Sequence, residues 1–363
     1  MENTEDAISI FKGQKKGHVY SRYANPTIDA VAQKIADLEG FGQDIRTYGY
    51  LTSSGMSAIS TLMMALVNSG DSILTQGNLY GGTTELFIKA FGPKGIKTLF
   101  HNFDDIEGVI KILKIDTSVK VIYLESPANP TLSCIDLKLI SSIAREHRVL
   151  TVIDNTFCTP YLQRPLDFGI DFVVHSTTKF LNGMGNSISG VIVGQREDYK
   201  DRIWQTLKLM GGTCNSWDAW LINNGLKTLT FRMDKHSENA LFLAQNLENH
   251  PEILKVNYNG LSSHPYHSIA KKQMSDFGGM ISFEVNRDLR GTIEFIDQLK
   301  LATHAPTLGD TDTLVLHPVT SSHLNVDKAL CREYGISENL VRFSVGLEHK
   351  QDILDDVLQA LES

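Results

Sequence analysis

Short apolar runs and amphipathic stretches take turns along most of this chain. Apolar runs that read as strands lie at residues 72–75, 119–124, 149–153, 172–175 and 188–193. Helical spacing appears between them. At 55–67, Met56, Ile59, Met63 and Leu66 share one face, behind the capping serines Ser53 and Ser54 and ahead of a stop at Gly70-Asp71. Residues 83–90 and 137–147 read as further helices. Apolar runs separated by helical segments predict a mainly parallel sheet with helices on both faces. Ligands in such a fold gather beyond the carboxyl ends of the strands. The polar residues that close those runs are therefore the ones to follow.

The two ends of the chain read differently. Residues 1 to about 32 are polar, carry the turn-prone run Asn25-Pro26-Thr27 and show no sustained periodicity, which suggests an arm. A short helix is expected from Gln33, through Ile35, Leu38 and Glu39. The periodicity changes again near 225–235. A long helix is expected at 233–247, with Ala240, Leu243 and Leu247 on one side. Strands follow at 280–285, 314–317 and 341–345, then a closing amphipathic helix at 352–361. The expected division is an arm and linker over 1–45, a main α/β domain over 46–230 and a smaller α+β domain over 231–363.

Composition narrows the function classes. The 363 residues hold 34 Lys and Arg against 42 Asp and Glu, a net charge of −8, and 42% are hydrophobic. An acidic balance argues against nucleic acid as a partner, because phosphate binding wants a basic footprint. Four scattered cysteines, Cys134, Cys158, Cys214 and Cys331, form neither a metal spacing nor a disulfide framework and fit a reducing compartment. No long apolar run suggests a leader or a membrane span, so a cytoplasmic protein without membrane partners is expected. His175, His317 and His323 have no metal-ligand spacing. A nucleophile elbow, a Walker loop and a dinucleotide fingerprint are all missing from the sequence, which leaves an NAD or ATP enzyme poorly supported.

The densest polar constellation runs from Asp154 to Lys179. Asp154 ends one apolar run and Lys179 follows another. A lysine beyond a strand end can form a Schiff base with a carbonyl cofactor. A carboxylate such as Asp154 can keep a pyridine nitrogen protonated. The same two residues also read as a capping carboxylate and a solvated lysine. Ser54-Gly55-Met56 opens a helix whose N–H groups suit a phosphate, or is a plain cap. Ser176 and Thr178 add hydroxyls beside Lys179. Tyr80, in a turn before a helix, can stack on a planar ring or pack on the sheet edge. Arg342, in an alternating strand, can clamp a carboxylate or pair at the surface.

Taken together, ordered blocks over nearly the full chain resemble the Cys/Met-metabolism pyridoxal-phosphate enzymes. That family includes methionine γ-lyase, cystathionine γ-lyase, cystathionine γ-synthase, cystathionine β-lyase and O-acetylhomoserine sulfhydrylase. The blocks are YSRYANPT at 20–27, SSGMSAI at 53–59, Gly70-Asp71, LYGGT at 79–83 and ESPANP at 125–130. They continue with the long run at 152–183, GGMISFE at 278–284, TLGDTDTLVLHP at 307–318 and VRFSVGLE at 341–348.

The resemblance implies a type I aminotransferase-like fold, pyridoxal 5'-phosphate as cofactor and a homotetramer of catalytic dimers. It implies Lys179 as the Schiff-base lysine, Asp154 as the pyridinium partner and Tyr80 as the stacking, acid–base tyrosine. Gly55, Met56, Ser176 and Thr178 correspond to the phosphate cup, and Tyr20 and Arg22 to the pair given to a neighbouring subunit's phosphate. Asn129 corresponds to the residue near the cofactor's phenolic oxygen. Arg342 corresponds to the substrate-carboxylate arginine, with Thr307 in place of the usual serine of that segment. Gly82 stands where several methionine γ-lyases carry cysteine, and Pro306 where many cystathionine γ-lyases carry glutamate. Gly183-Met184-Gly185-Asn186 replaces the usual Gly-His. The expected reaction is γ-elimination on methionine, homocysteine or a related thioether, giving 2-oxobutanoate, ammonia and a thiol. The alternative is γ-replacement on an O-activated homoserine.

Overall fold

The computed structural model describes every residue except 1, 13, 16, 323, 325–330, 332 and 333. The expectation for His323 lies outside the described residues. Seven strands form the central sheet: β1 (Tyr48–Thr52), β2 (Ser72–Thr75), β3 (Lys97–Phe100), β4 (Val119–Glu125), β5 (Leu150–Asp154), β6 (Phe172–His175) and β7 (Gly190–Gly194), in the order β1-β7-β6-β5-β4-β2-β3. From β3 to β6 every pairing is parallel, and β7 runs antiparallel to both β6 and β1. The sheet is thus mixed, as a largely parallel sheet becomes when one strand is reversed near its edge.

The inner strands are rich in Val, Ile and Leu because both faces are covered. Ile122, Ile153 and Val173 pack on one side with Ile35 and Ala36 of the helix Pro26–Glu39. Val121, Val152 and Val174 pack on the other with Ile59, Leu62 and Met63 of the helix Gly55–Leu66. All of these side chains are buried.

The helix Pro26–Glu39 corrects the reading of residues up to 32 as an arm without periodicity. Asn25 accepts hydrogen bonds from the N–H groups of Thr27 and Ile28, and Pro26 sits at the first helical position. Pro there starts a helix rather than a loop, because its missing N–H would be unpaired anyway. Ile28, Val31, Ala32 and Ile35 then face the core. Nearer the chain start, Thr4–Phe11 is a helix with no buried residue. The expected helix at 83–90 is instead a short α-helix, Gly81–Glu85, running into a π-helical turn, Leu86–Phe91.

A second sheet follows: β8 (Ile253–Asn257), β9 (Met280–Val285), β10 (Thr303–His304), β11 (Leu314–Leu316) and β12 (Leu340–Ser344), in the order β10-β11-β12-β9-β8. Its central pairings are antiparallel. The helices Leu229–Leu247, Leu289–Asp297 and Lys350–Leu361 give Leu243, Phe295 and Val357 to a core with Ile281, Phe283 and Phe343. Among the described residues, no helix is long and apolar enough to cross a membrane.

Candidate active site

The carboxyl edge of the central sheet faces the second sheet across a cavity of about 520 Å³. Gly55, Met56, Tyr80, Asn129, Asp154, Ser176, Thr178, Lys179, Thr307 and Arg342 all line it. Residues as far apart as Tyr80 and Arg342 therefore meet in one place.

Each side chain arrives there for a local reason. Asp154 is the last residue of β5, and its Oδ1 accepts the Thr156 N–H at 3.0 Å. Enclosure raises its pKa, because charge is disfavoured away from water. Lys179 sits in the turn after β6, where its N–H donates to the Ser176 carbonyl. Its Nζ donates to Thr307 Oγ1 at 2.7 Å. Burial, and secondarily the Arg342 charge, bring its pKa down to about 8. A neutral amine is thus accessible near physiological pH, which a proton acceptor or nucleophile requires.

The turn bearing Lys179 is held from behind. Arg232, buried in the helix Leu229–Leu247, donates to the carbonyls of Phe180 at 2.7 Å and Gly225 at 2.9 Å. Gly309 has φ +75°, and a Cβ there would fall 2.6 Å from the Phe180 nitrogen. Only glycine lets the Thr307 loop lie so close to the backbone after Lys179.

Arg342 enters from β12. Its Nη2 donates to the Thr307 carbonyl at 2.9 Å and its Nη1 to Asn129 Oδ1 at 3.4 Å. Its buried Nε has no partner among the described residues. Burial draws its pKa down to about 10, so it remains a cation, with no carboxylate partner among the described residues.

The helix Gly55–Leu66 points its N-terminus at the cavity. Ser54 caps the Ser57 N–H at 3.0 Å, while the Gly55 and Met56 amides sit in the first turn, where no intrahelical carbonyl reaches them. A Cβ on Gly55 would lie 2.8 Å from Ser176 Cβ, so glycine keeps the strand end and the helix start together. Thr178 Oγ1 donates to the Ser189 carbonyl at 3.1 Å and accepts its N–H at 3.0 Å, which fixes the loop ahead of β7.

Tyr20 and Arg22 lie elsewhere. Arg22 Nη1 donates to the Lys208 carbonyl at 2.7 Å and lines a different cavity, and Tyr20 is exposed. Within one chain, neither lines the cavity of Lys179.

Thr156 and Glu125 are among the lining residues without an assigned role in the sequence reading. Thr156 accepts the Ser176 N–H at 2.8 Å. Glu125 closes β4 and accepts N–H groups from Tyr80 and Asn129. Burial, with the neighbouring Asp154, pushes its pKa up to about 8. The signal for Glu125 was the one used for Asp154, a carboxylate ending an apolar run.

None of the four cysteines is in a disulfide, and all are buried. Among the described residues, no group of three or more His, Cys, Asp or Glu side chains is placed to hold a metal.

The family described as Cys/Met metabolism PLP-dependent enzyme matches residues 1–362. The chain belongs to this family. Among its relatives, a cystathionine beta-lyase of Lactococcus lactis subsp. cremoris is 41% identical over 353 residues, covering 96% of this chain and 90% of that protein. An L-methionine gamma-lyase of Pseudomonas putida is 41% identical over 361 residues, covering 99% and 89%. The crystal structure of a cystathionine gamma synthase from Xanthomonas oryzae pv. oryzae, in complex with cystathionine, superposes with a TM-score of 0.91. It is 34% identical, and the match covers 96% of this chain and 89% of that one. The architecture is accordingly the type I PLP fold, with a mixed central sheet and a smaller C-terminal domain.

The cavity suits the family's cofactor on its own chemistry. It offers a lysine of lowered pKa, a buried carboxylate without an ion pair among the described residues, a helix N-terminus with first-turn amides, and a tyrosine ring at the rim.

Proposed function

We propose that this enzyme catalyses γ-elimination on a sulfur amino acid, methionine, homocysteine or a related thioether, releasing 2-oxobutanoate, ammonia and a thiol. The observation that carries the choice of substrate is the mouth of the cavity. Ile188 and Pro306 line it and are exposed, so the distal end of the substrate meets apolar side chains. A thioether tail suits such a mouth better than a second charged amino-acid end, which would lose hydration there.

Asp154 would hold the ring nitrogen of pyridoxal 5'-phosphate. The amides of Gly55 and Met56, with Ser176 and Thr178, would hold its phosphate, and Asn129 would face its phenolic oxygen. Once bound, the cofactor supplies an electron-withdrawing ring that takes up charge left at the substrate's α-carbon. Arg342 binds the substrate carboxylate through N–H groups and orients the bonds to be broken. Lys179, as a neutral amine, takes the α-proton and carries it within the cavity. Its bond to Thr307 Oγ1 fixes where that amine waits. Tyr80 serves proton transfer near the departing sulfur.

Tyr20 and Arg22 would complete the phosphate site of a neighbouring copy in a homotetramer. Their position outside their own chain's cavity supports this, as do the exposed Leu209, Met210, Trp217 and Phe231.

The test is 2-oxobutanoate release from L-methionine, L-homocysteine, L-cystathionine and O-acetyl-L-homoserine, each with and without sulfide. Release from methionine or homocysteine without sulfide is expected. No release from any thioether, with homocysteine formed from O-acetylhomoserine and sulfide, makes the enzyme a γ-replacement catalyst instead.

A further inference from the structure

Glu125 and Asp154 are register partners on β4 and β5. Adjacent strands lie about 4.8 Å apart, and register partners point to the same face. Two carboxylates therefore enter one cavity side by side, yet a single ring nitrogen has use for only one. Burying the second is unfavourable unless hydrogen bonds engage it.

Its bonds reach two separate loops. Glu125 Oε2 accepts the Tyr80 N–H at 2.8 Å, and Oε1 accepts the Asn129 N–H at 3.1 Å. Gln76 braces the Glu125 backbone from the other side, accepting its N–H at 3.0 Å and donating to its carbonyl at 2.9 Å. Tyr80 is held on its other side through its carbonyl, which accepts the Thr83 and Thr84 N–H groups at 2.9 and 3.2 Å. It stands at the N-cap of Gly81–Glu85 without a side-chain cap, and 47% of its surface is exposed. Asn129 passes the constraint on, because its Oδ1 accepts from Arg342 Nη1.

We propose that Glu125 is a positioning residue: one buried carboxylate sets the Tyr80 ring and the Asn129 amide, and through Asn129 the Arg342 guanidinium, relative to Lys179. The inference rests on the proposed function, in that Tyr80 and Asn129 are taken to face the cofactor. Both oxygens of the carboxylate are needed. Glutamine offers one acceptor oxygen and sets its NH₂ against the other backbone N–H. Aspartate keeps both acceptors but is one methylene too short to span the two loops.

The experiment compares wild-type holoenzyme with Glu125→Gln, Tyr80→Ala, the double variant and Lys179→Ala. It records cofactor absorption, the visible circular dichroism of the bound cofactor, pyridoxal-phosphate affinity, kcat and KM. Glu125→Gln is expected to bind cofactor within about tenfold of wild type and to lose half or more of the visible circular dichroism. Its kcat should fall roughly 10- to 100-fold while KM moves less than threefold. In the Tyr80→Ala background the same change should cost clearly less than it does in wild type, since only the Asn129 arm is left to lose. If Glu125→Gln does not fold, Glu125→Asp is expected to show the same loss of dichroism and kcat. Wild-type dichroism and kcat in the folded variant overturn the proposal. Losses that multiply in full with Tyr80→Ala also overturn it. Lys179→Ala separates the two levels: if it keeps cofactor absorption and turnover, the reading of the whole site fails. If it loses both while Glu125→Gln behaves as wild type, only the role of Glu125 falls.

Discussion

Two polar clusters lie back to back across the ends of β5 and β6, and they are built on opposite terms. In front, Asp154 and Glu125 face the cavity with Lys179 and Arg342, and among the described residues neither carboxylate forms an ion pair. Behind, the neighbouring residues Asn155 and His175 turn away into the protein. His175 Nε2 lies 2.6 Å from Glu39 Oε1, with both side chains fully buried. Asn155 Nδ2 donates to that same oxygen at 3.2 Å and to the Gln163 carbonyl at 2.8 Å, and Gln163 Nε2 donates back to Asn155 Oδ1 at 3.0 Å. In the rear cluster Glu39 Oε1 is engaged by both His175 and Asn155, while Glu39 Oε2 and His175 Nδ1 have no partner among the described residues. The front charges are held apart, with the Lys179 and Glu125 pKa values moved toward neutrality from opposite sides. On the proposed function, similar residue types at similar depth are used for chemistry in front and for packing the protein behind.

The strongest way to break this contrast is to exchange the consequences. Lys179→Ala should lower turnover by about a thousandfold or more, while far-UV circular dichroism and thermal unfolding stay near wild type. A large loss of stability instead would mark Lys179 as a structural residue. Glu39→Leu should do the reverse. It removes the partner of a buried histidine and should lower unfolding free energy by about 3 kcal/mol or more in urea titration. The protein that remains folded should keep cofactor absorption. Loss of absorption without loss of stability would dissolve the distinction between the clusters.

A smaller effect concerns pH. In cofactor-free protein, Lys179 gives up its proton near pH 8, whereas the unfolded chain holds it to the ordinary value of 10.5. Between those limits the unfolded state binds more protons, so stability contributed through Lys179 rises with pH. Wild type should gain on Lys179→Met between pH 8 and 10.5 and run parallel to it below pH 8. Urea titrations of both proteins at three pH values test this, and parallel curves throughout would contradict the burial argument.

The smallest expected effect is at Gly82. A Cβ there would fall 2.6 Å from Tyr80 Cε1 and 3.2 Å from Met56 Sδ, so the ring must move. Gly82→Ala should lower kcat by roughly three- to tenfold with little change in thermal stability. An unchanged kcat would show that the ring position in this chain is not critical.

Much of the front cluster was legible because β5 and β6 are short apolar runs that stop at polar residues. Phe172–His175 was read to the residue and Lys179 followed from it, while Asp154 followed from the run at 149–153. Glu125 ends β4 in the same way but stayed inside a block without a role, since its function lies in contacts with two other loops. Arg232 was invisible for a related reason. It sits in the first turn of its helix, and its carbonyl partner Phe180 is 52 residues away. The rear cluster was missed through its helix, because Pro26 and the polar residues near it hid the core-facing stripe from Ile28 to Ile35. β3 gave no signal either, being an edge strand with no buried residue.

The pleat of β5 makes membership of either cluster a matter of odd and even. Val152 and Asp154 share one parity, Ile153 and Asn155 the other, as the two cores they enter show. A single-residue deletion within this strand would bring Asn155 to the cavity in place of Asp154, and a single-residue insertion would turn Asp154 to the Glu39 side. A change of length inside Leu150–Asp154 therefore alters which side chains meet the cavity and which meet Glu39, unless it comes in twos or falls in the loops outside the strand.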